Sequence, residues 1–180
     1  GSGPVIIACD VARFGRDHTV VMRRQGQRAT ILWRVQGRDT MAIAGWLGAY
    51  LREHQPDTLV VDDTGVGGGV TDRLREMGTA RTRLVAFNGG NKARQDELYA
   101  NAIAEVWMLM RKWFLDEEKA PSIENDARLV GQVSTRGYTY QSDRRIMLTS
   151  KAKLPSSPDE ADALAMTFAA EGTEVRVRWI

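Results

Sequence analysis

Two short runs, "VIIACD" (Val5–Asp10) and "TLVVD" (Thr58–Asp62), constrain this chain more than any other feature. Each is nearly continuously apolar and then stops at an acid. A strand with one face in water alternates apolar and polar residues. A run without that alternation marks a strand covered on both faces, as in the centre of an α/β sheet. The terminal acids pose a separate problem, because a carboxylate at the end of a buried strand is costly unless it is paired or bound to a cation.

The rest of the chain supplies the covering elements. After Asp10, a turn around Gly15 leads to a strand near Thr19–Arg23, and the Gln25-Gly26-Gln27 turn leads to another near Ala29–Val35, an antiparallel meander. Asp39 or Thr40 caps a helix to about His54. Thr58–Asp62 is the fourth strand, "DDTGVGGGV" opens a short helix ending near Met77, and Leu84–Phe87 is the fifth strand. A long helix is expected from about Lys92 to Leu115 and another over Ser122–Val133. Tyr138–Gln141 and Ile146–Leu148 read as a hairpin, and a last helix follows. The expected fold is α/β: a mixed sheet of three antiparallel strands followed by parallel strands, flanked by helices, with a small hairpin before the last helix. One domain is expected over residues 4–171. Gly1-Ser2-Gly3 reads as a cloning remnant, and residues 172–180 carry no assigned element.

The last helix begins in "SSPDEADALAMTF" (Ser156–Phe168), with Asp159, Glu160 and Asp162 crowded at its mouth. Ser157 is the expected N-cap, Pro158 suits the first helical position, and Glu160 completes a Ser-x-x-Glu capping box. Ala161, Leu164, Ala165 and Phe168 form a core-facing stripe. Capping accounts for Glu160 and partly for Asp159, since acids complement the helix dipole. It leaves Asp162, at the border of the stripe, unexplained.

Composition narrows the chemistry. A net charge of +2 does not by itself argue for nucleic acid. The single cysteine, Cys9, excludes an internal disulfide and a cysteine-based zinc site, and its apolar setting reads as a buried, inert thiol. No stretch is apolar enough to span a membrane, and no secretory signal is visible. Trp46, Trp107 and Trp113 fit apolar helix faces and are read as core.

Three β-strands followed by α, β, α, β, α is the order of the ribonuclease H-like fold. That fold places carboxylates at the end of strand one, near the end of strand four and on a late helix. Here these stations hold Asp10, Asp62 and Asp159 with Asp162. Hard oxygen ligands favour Mg²⁺ or Mn²⁺, and two such ions can activate water and stabilise the leaving oxygen of a phosphodiester. With metals in that role, neither His18 nor His54 is read as a general base.

Beyond the fold, the sequence resembles the nuclease domain of the large terminase subunit of tailed bacteriophages, a DNA-packaging motor. The resemblance is carried by "ACDVARFGRDHTVV" (Ala8–Val21), "VVDDTGVGGGVTDRL" (Val60–Leu74) and "SPDEADALAMTF" (Ser157–Phe168). Between them, "YANAIAEVWMLMRKWF" (Tyr99–Phe114) and "RIMLTSKAKL" (Arg145–Leu154) resemble further family segments in the same order. The resemblance implies a metal-dependent endonuclease that cuts concatemeric double-stranded DNA, with Asp10, Asp62 and Asp159 as catalytic metal ligands. It implies that Asp162 is a further metal residue and that Asp17 is supporting. Asp63 neighbours Asp62, and strand alternation turns only one of them inward; Asp62 is the expected one.

The family also implies an N-terminal ATPase domain, but the chain has no Walker A sequence, so no ATP site is expected in it. Small terminase subunit and portal are the implied partners, the cytoplasm of an infected bacterium the implied location, and a monomer the expected state of the isolated domain. Candidate DNA contacts are Arg13, Arg16, Lys92, Arg94, Arg144, Arg145, Lys151 and Lys153, with Lys151 favoured by its nearness to Asp159 in sequence. A Holliday-junction resolvase or transposase-like nuclease, and a non-catalytic DNA-binding or assembly module, are the alternatives.

Overall fold

The alternation of strand β1 (Val5–Asp10) sets the architecture. Ile6 and Ala8 point into one core and Ile7 and Cys9 into another, so the strand lies between two layers of helices. The structure is a computed structural model that describes residues 2–12 and 17–170. β2 (His18–Gln25) runs antiparallel to β1, with Val20 opposite Asp10, and β3 (Arg28–Gln36) continues the meander. On the other side β4 (Thr58–Asp62) is parallel to β1, and β5 (Arg83–Phe87) is parallel to β4. A two-residue strand, β6 (Ser122–Ile123), lies parallel to the start of β3. Among the described residues the sheet therefore has the order β5-β4-β1-β2-β3-β6.

Helices α1 (Thr40–His54) and α2 (Gly67–Met77) cover one face, where Ile7, Cys9, Ile43, Leu47, Leu51, Leu59, Val61 and Leu74 are buried together. The other face packs against α3 (Ala102–Phe114), α4 (Ala127–Thr135) and α5 (Asp159–Met166), burying Val20, Met22, Val60, Trp107, Met110, Leu129 and Leu164. Full burial of such a large aliphatic side chain stabilises by about 1.5–3 kcal/mol. A hairpin of β7 (Tyr138–Tyr140) and β8 (Ile146–Leu148) docks on the chain ahead of α3: Ile146 N donates to Leu98 O at 2.8 Å and Ala100 N to Ile146 O at 2.9 Å. Among the described residues no helix is long and apolar enough to cross a membrane.

The mixed sheet of three antiparallel strands followed by parallel ones matches expectation, with β6 an unexpected addition at its edge, and Asp39 caps α1 by accepting from Ala42 N. Three helix starts differ. The expected helix from Lys92 begins ten residues later, at Ala102, where the Asn101 side chain accepts from Ala104 N. The segment before it is held as a loop by Ala102 N to Asn91 O and Ile103 N to Gly89 O. The helix expected from Ser122 begins at Ala127, because Ser122 and Ile123 join the sheet and Asp126 caps the turn through Leu129 N. The capping box at Ser157 does not form. α5 starts at Asp159, and the Ser157 hydroxyl donates to the Asp159 carboxylate instead of receiving a backbone N–H. The unassigned residues 172–180 lie outside the described residues.

Candidate active site

Strand alternation brings the acids together. Asp10 shares the parity of Ile6 and Ala8, and Asp62 that of Val60, so both carboxylates face the α5 side of the sheet. Parallel pairing of β1 and β4 puts their acidic ends at the same edge. The first turn of α5 meets that edge, where the backbone N–H of His18 donates to Asp159 Oδ2 at 2.8 Å. The result is a cavity of about 390 Å³ lined by Asp10, Asp17, Asp62, Asp159, Asp162 and Lys151, with Arg136 and Ser157 beside them. Asp63 is not among the lining residues, and its backbone N–H goes to Phe87 O at 2.7 Å.

Each acid has a distinct setting. Asp10 is 7% exposed, and burial, followed by the charge of Asp162, raises its carboxyl well above the usual aspartate range. Lys151 opposes that rise, while Asp62 and Asp159 add to it. Asp159 is also raised, chiefly by burial, against the lowering effect of the His18 N–H and the Ser157 hydroxyl. Asp62 Oδ1 accepts from Thr64 N at 2.9 Å, which fixes the carboxylate to its own loop. Asp162 gathers donors and cations: Oδ1 accepts from the neutral Trp107 Nε1 at 2.8 Å and from Arg136 Nη1 at 2.9 Å, and Oδ2 pairs with Lys151 Nζ at 2.5 Å. Burial would depress the Lys151 ammonium, but Asp162 and Asp10 outweigh it and raise its pKa. Cys9, fully buried behind them, has its thiol pushed up by burial first and then by Asp10 and Asp62, so it stays protonated.

Among the described residues no three carboxylate, imidazole or thiolate groups stand close enough together to ligate one ion. The donor chemistry nevertheless suits a hard divalent cation: Asp10, Asp62 and Asp159 offer oxygen only, and the burial and neighbouring acids that raise the Asp10 carboxyl are both costs of its negative charge that a cation relieves.

The glycine-rich loop is built for close approach. A Cβ on Gly67 would overlap the carbonyl oxygen of Asp62 and lie 2.7 Å from its carbonyl carbon. Any side chain there must displace the strand end that carries Asp62. Gly67→Ala is therefore expected to destabilise by about 1–3 kcal/mol, as overpacking does, and to move Asp62. Thermal melts beside Gly68→Ala, whose Cβ would meet only Asp63 Oδ1 at 3.9 Å, separate this clash from general loss of glycine.

The other predicted contacts are dispersed. Lys153 is exposed and outside the cavity lining; Lys92 pairs with Asp96 at 2.7 Å and Arg145 with Asp143 at 2.7 Å. Arg94 binds inward, its backbone N–H to Glu105 Oε2 at 2.6 Å and its guanidinium to Ala169 O. Arg144 is an exposed turn residue with φ of 68°. Arg13 and Arg16 lie outside the described residues. Two site residues were missed. Arg136 stands alone between a helix end and a hairpin, with no motif to mark it, yet it spans Asp162, Thr149 O and the Trp107 ring, 4.9 Å from its centroid. Trp107, read as core, is indeed buried but also donates to Asp162.

No protein-family model matches the chain, and no curated protein does. Among solved structures, the nuclease domain of the large terminase subunit gp2 of bacterial virus Sf6 superposes with a TM-score of 0.74 at 20% identity, over 92% of this chain and 87% of that one. This chain has the fold of a phage large-terminase nuclease domain. The large terminase nuclease of thermophilic phage G20c aligns at a TM-score of 0.67 and 14% identity, over 93% of this chain and 82% of that one. The Thermus phage P74-26 terminase nuclease domain aligns at 0.61 and 13%, over 92% and 78%. Forms of the Sf6 domain with manganese and of the G20c nuclease with magnesium are among the similar structures.

Proposed function

We propose that this chain is a divalent-metal-dependent endonuclease that hydrolyses phosphodiester bonds of double-stranded DNA, acting in phage genome packaging. The observation that carries this reading is the meeting of Asp10, Asp62 and Asp159 in one cavity, on a fold shared with terminase nuclease domains. Magnesium or manganese with those similar nucleases supports the choice of metal.

In this reading Asp10, Asp62 and Asp159 would hold two Mg²⁺ or Mn²⁺ ions between them. Such ions polarise the phosphodiester and activate the attacking water. The protein's own groups do the rest. His18 N–H and Ser157 hold the Asp159 carboxylate in place, and the Thr64 N–H holds that of Asp62. Asp162 anchors Lys151 and Arg136 at the cavity wall, where the Lys151 ammonium can donate to a phosphate oxygen. Asp17, at the rim, adds negative charge beside Asp159. An ATPase domain in the full-length protein, the small terminase subunit and portal as partners, and the cytoplasm of an infected bacterium as location belong to the same reading.

Supercoiled plasmid is the direct test. The protein is expected to nick it with Mn²⁺ or Mg²⁺, without ATP, and to stop when chelator is added. Cutting that persists in excess chelator, or none with either ion, overturns the proposal.

A further inference from the structure

We propose that Glu160 is a positioning residue that sets the Asp159 carboxylate for metal through Arg128 and Gln132; this rests on the metal-dependent reading above. Glu160 is adjacent to Asp159 on α5 and fully buried, yet it points away from the cavity. Its Oε1 accepts from Arg128 Nε at 2.7 Å and pairs electrostatically with Arg34 Nε at 2.7 Å, and its Oε2 accepts from Gln132 Nε2. Burial raises its pKa, but the Gln132 and Arg128 bonds outweigh that and hold it low, so it is an anion. A capping box needs one backbone N–H; this carboxylate instead gathers side chains from β3 and α4.

Two routes lead from Glu160 to Asp159. Through Gln132, the amide that donates to Glu160 also accepts from Ala161 N at 3.0 Å, so α4 satisfies a first-turn N–H of a helix that has no side-chain cap of its own. Through Arg128, Nη2 lies 3.4 Å from His18 Nδ1, and because a guanidinium only donates, that nitrogen is the acceptor. The same His18 gives its backbone N–H to Asp159 Oδ2. The circuit Glu160, Arg128, His18, Asp159 thus closes on the acid it flanks. Arg34 braces it, with Nη2 at 2.9 Å from Asp126, the cap of α4. A fully buried carboxylate that pairs with partly exposed guanidiniums is a weak source of stability, and fixing a geometry is the role proposed for it here.

The test compares wild type, Glu160→Gln and Arg128→Ala. Mn²⁺ affinity is read by calorimetry, plasmid nicking as half-saturating Mn²⁺ and as maximal rate, and the His18 amide by hydrogen exchange. Partners of metal ligands typically change metal affinity by about 10–100-fold, so Glu160→Gln is expected to weaken Mn²⁺ binding about tenfold. The nicking curve should shift to higher Mn²⁺ with its maximum largely recovered, and the His18 amide should exchange faster. Arg128→Ala, whose side chain is half-exposed, should shift both in the same direction by less, and carries the test alone should Glu160→Gln not fold. Arg128→Lys should restore part of the affinity. Variants that only melt earlier, with wild-type Mn²⁺ affinity and His18 exchange, overturn the proposal. Wild type that binds Mn²⁺ but never nicks overturns the nuclease reading, while the affinity comparison still decides the role of Glu160. Wild type that does not bind Mn²⁺ overturns both.

Discussion

Asp159→Asn is expected to leave the chain folded and to slow plasmid cutting by about a thousandfold. The fold survives because asparagine reproduces both local bonds. Its carbonyl can accept from the His18 N–H, and its amide can donate to the Ser157 hydroxyl, which rotates to accept. Loss of a charge near the start of α5 forfeits about 0.3–1 kcal/mol of dipole interaction, and relief of a buried carboxylate offsets it. Catalysis has no such replacement. An acid that helps hold a Lewis-acidic ion supports several kcal/mol of transition-state stabilisation, and each 4 kcal/mol lost is about a thousandfold in rate. Nicking rates and melting curves measured on the same preparations separate the two effects. A variant that still cuts at the wild-type rate would show that Asp159 serves only the helix.

Asp10→Asn is expected to make the metal-free protein more stable at neutral pH while abolishing both cutting and the metal-induced rise in melting temperature. In the fold the Asp10 carboxyl is raised, by burial first and by Asp162, Asp62 and Asp159. The folded state therefore binds this proton more tightly than the unfolded chain does. Stability falls as pH rises from the ordinary aspartate range through the raised value, and the loss is complete above it. Each tenfold in proton affinity amounts to about 1.4 kcal/mol. Asparagine cannot ionise, so its contribution is flat in pH, and the variant should overtake wild type as pH increases. A divalent ion narrows the gap for wild type alone, by ligand linkage. Melts from pH 5 to 8, with and without Mg²⁺, check this. Equal melting curves at all pH values, or a variant that melts earlier throughout, would make Asp10 a structural residue.

The central sheet and its acids were legible because both depend on local pattern. β1 and β4 read as buried strands from uninterrupted apolar runs, and the alternation that buries Ile6 and Val60 fixes the direction of Asp10 and Asp62. What sequence concealed depends on distant partners. Residues 92–100 contain good helix formers, but the bonds of Leu98 and Ala100 to Ile146, some forty-five residues on, hold them in turns rather than a continuous helix. Glu160 satisfies a capping pattern, and only Arg34, Arg128 and Gln132 reveal why it turns inward. Arg136 is recognisable only once Trp107 and Asp162 flank it.

The acids come from residues 10, 62 and 159, and α5, which brings the last, follows the whole sheet in chain order. A partly folded species holding the sheet, α1 and α2 therefore lacks the Asp159 carboxylate. Closing such long intervals is slow compared with forming local helices, so an emerging chain stays unarmed until α5 seats. The same dependence would work in reverse: any opening that lifted α5 would remove Asp159 and Asp162 together and release Lys151. If the proposed reading holds, assembly of the last helix is in effect a safety catch on cutting.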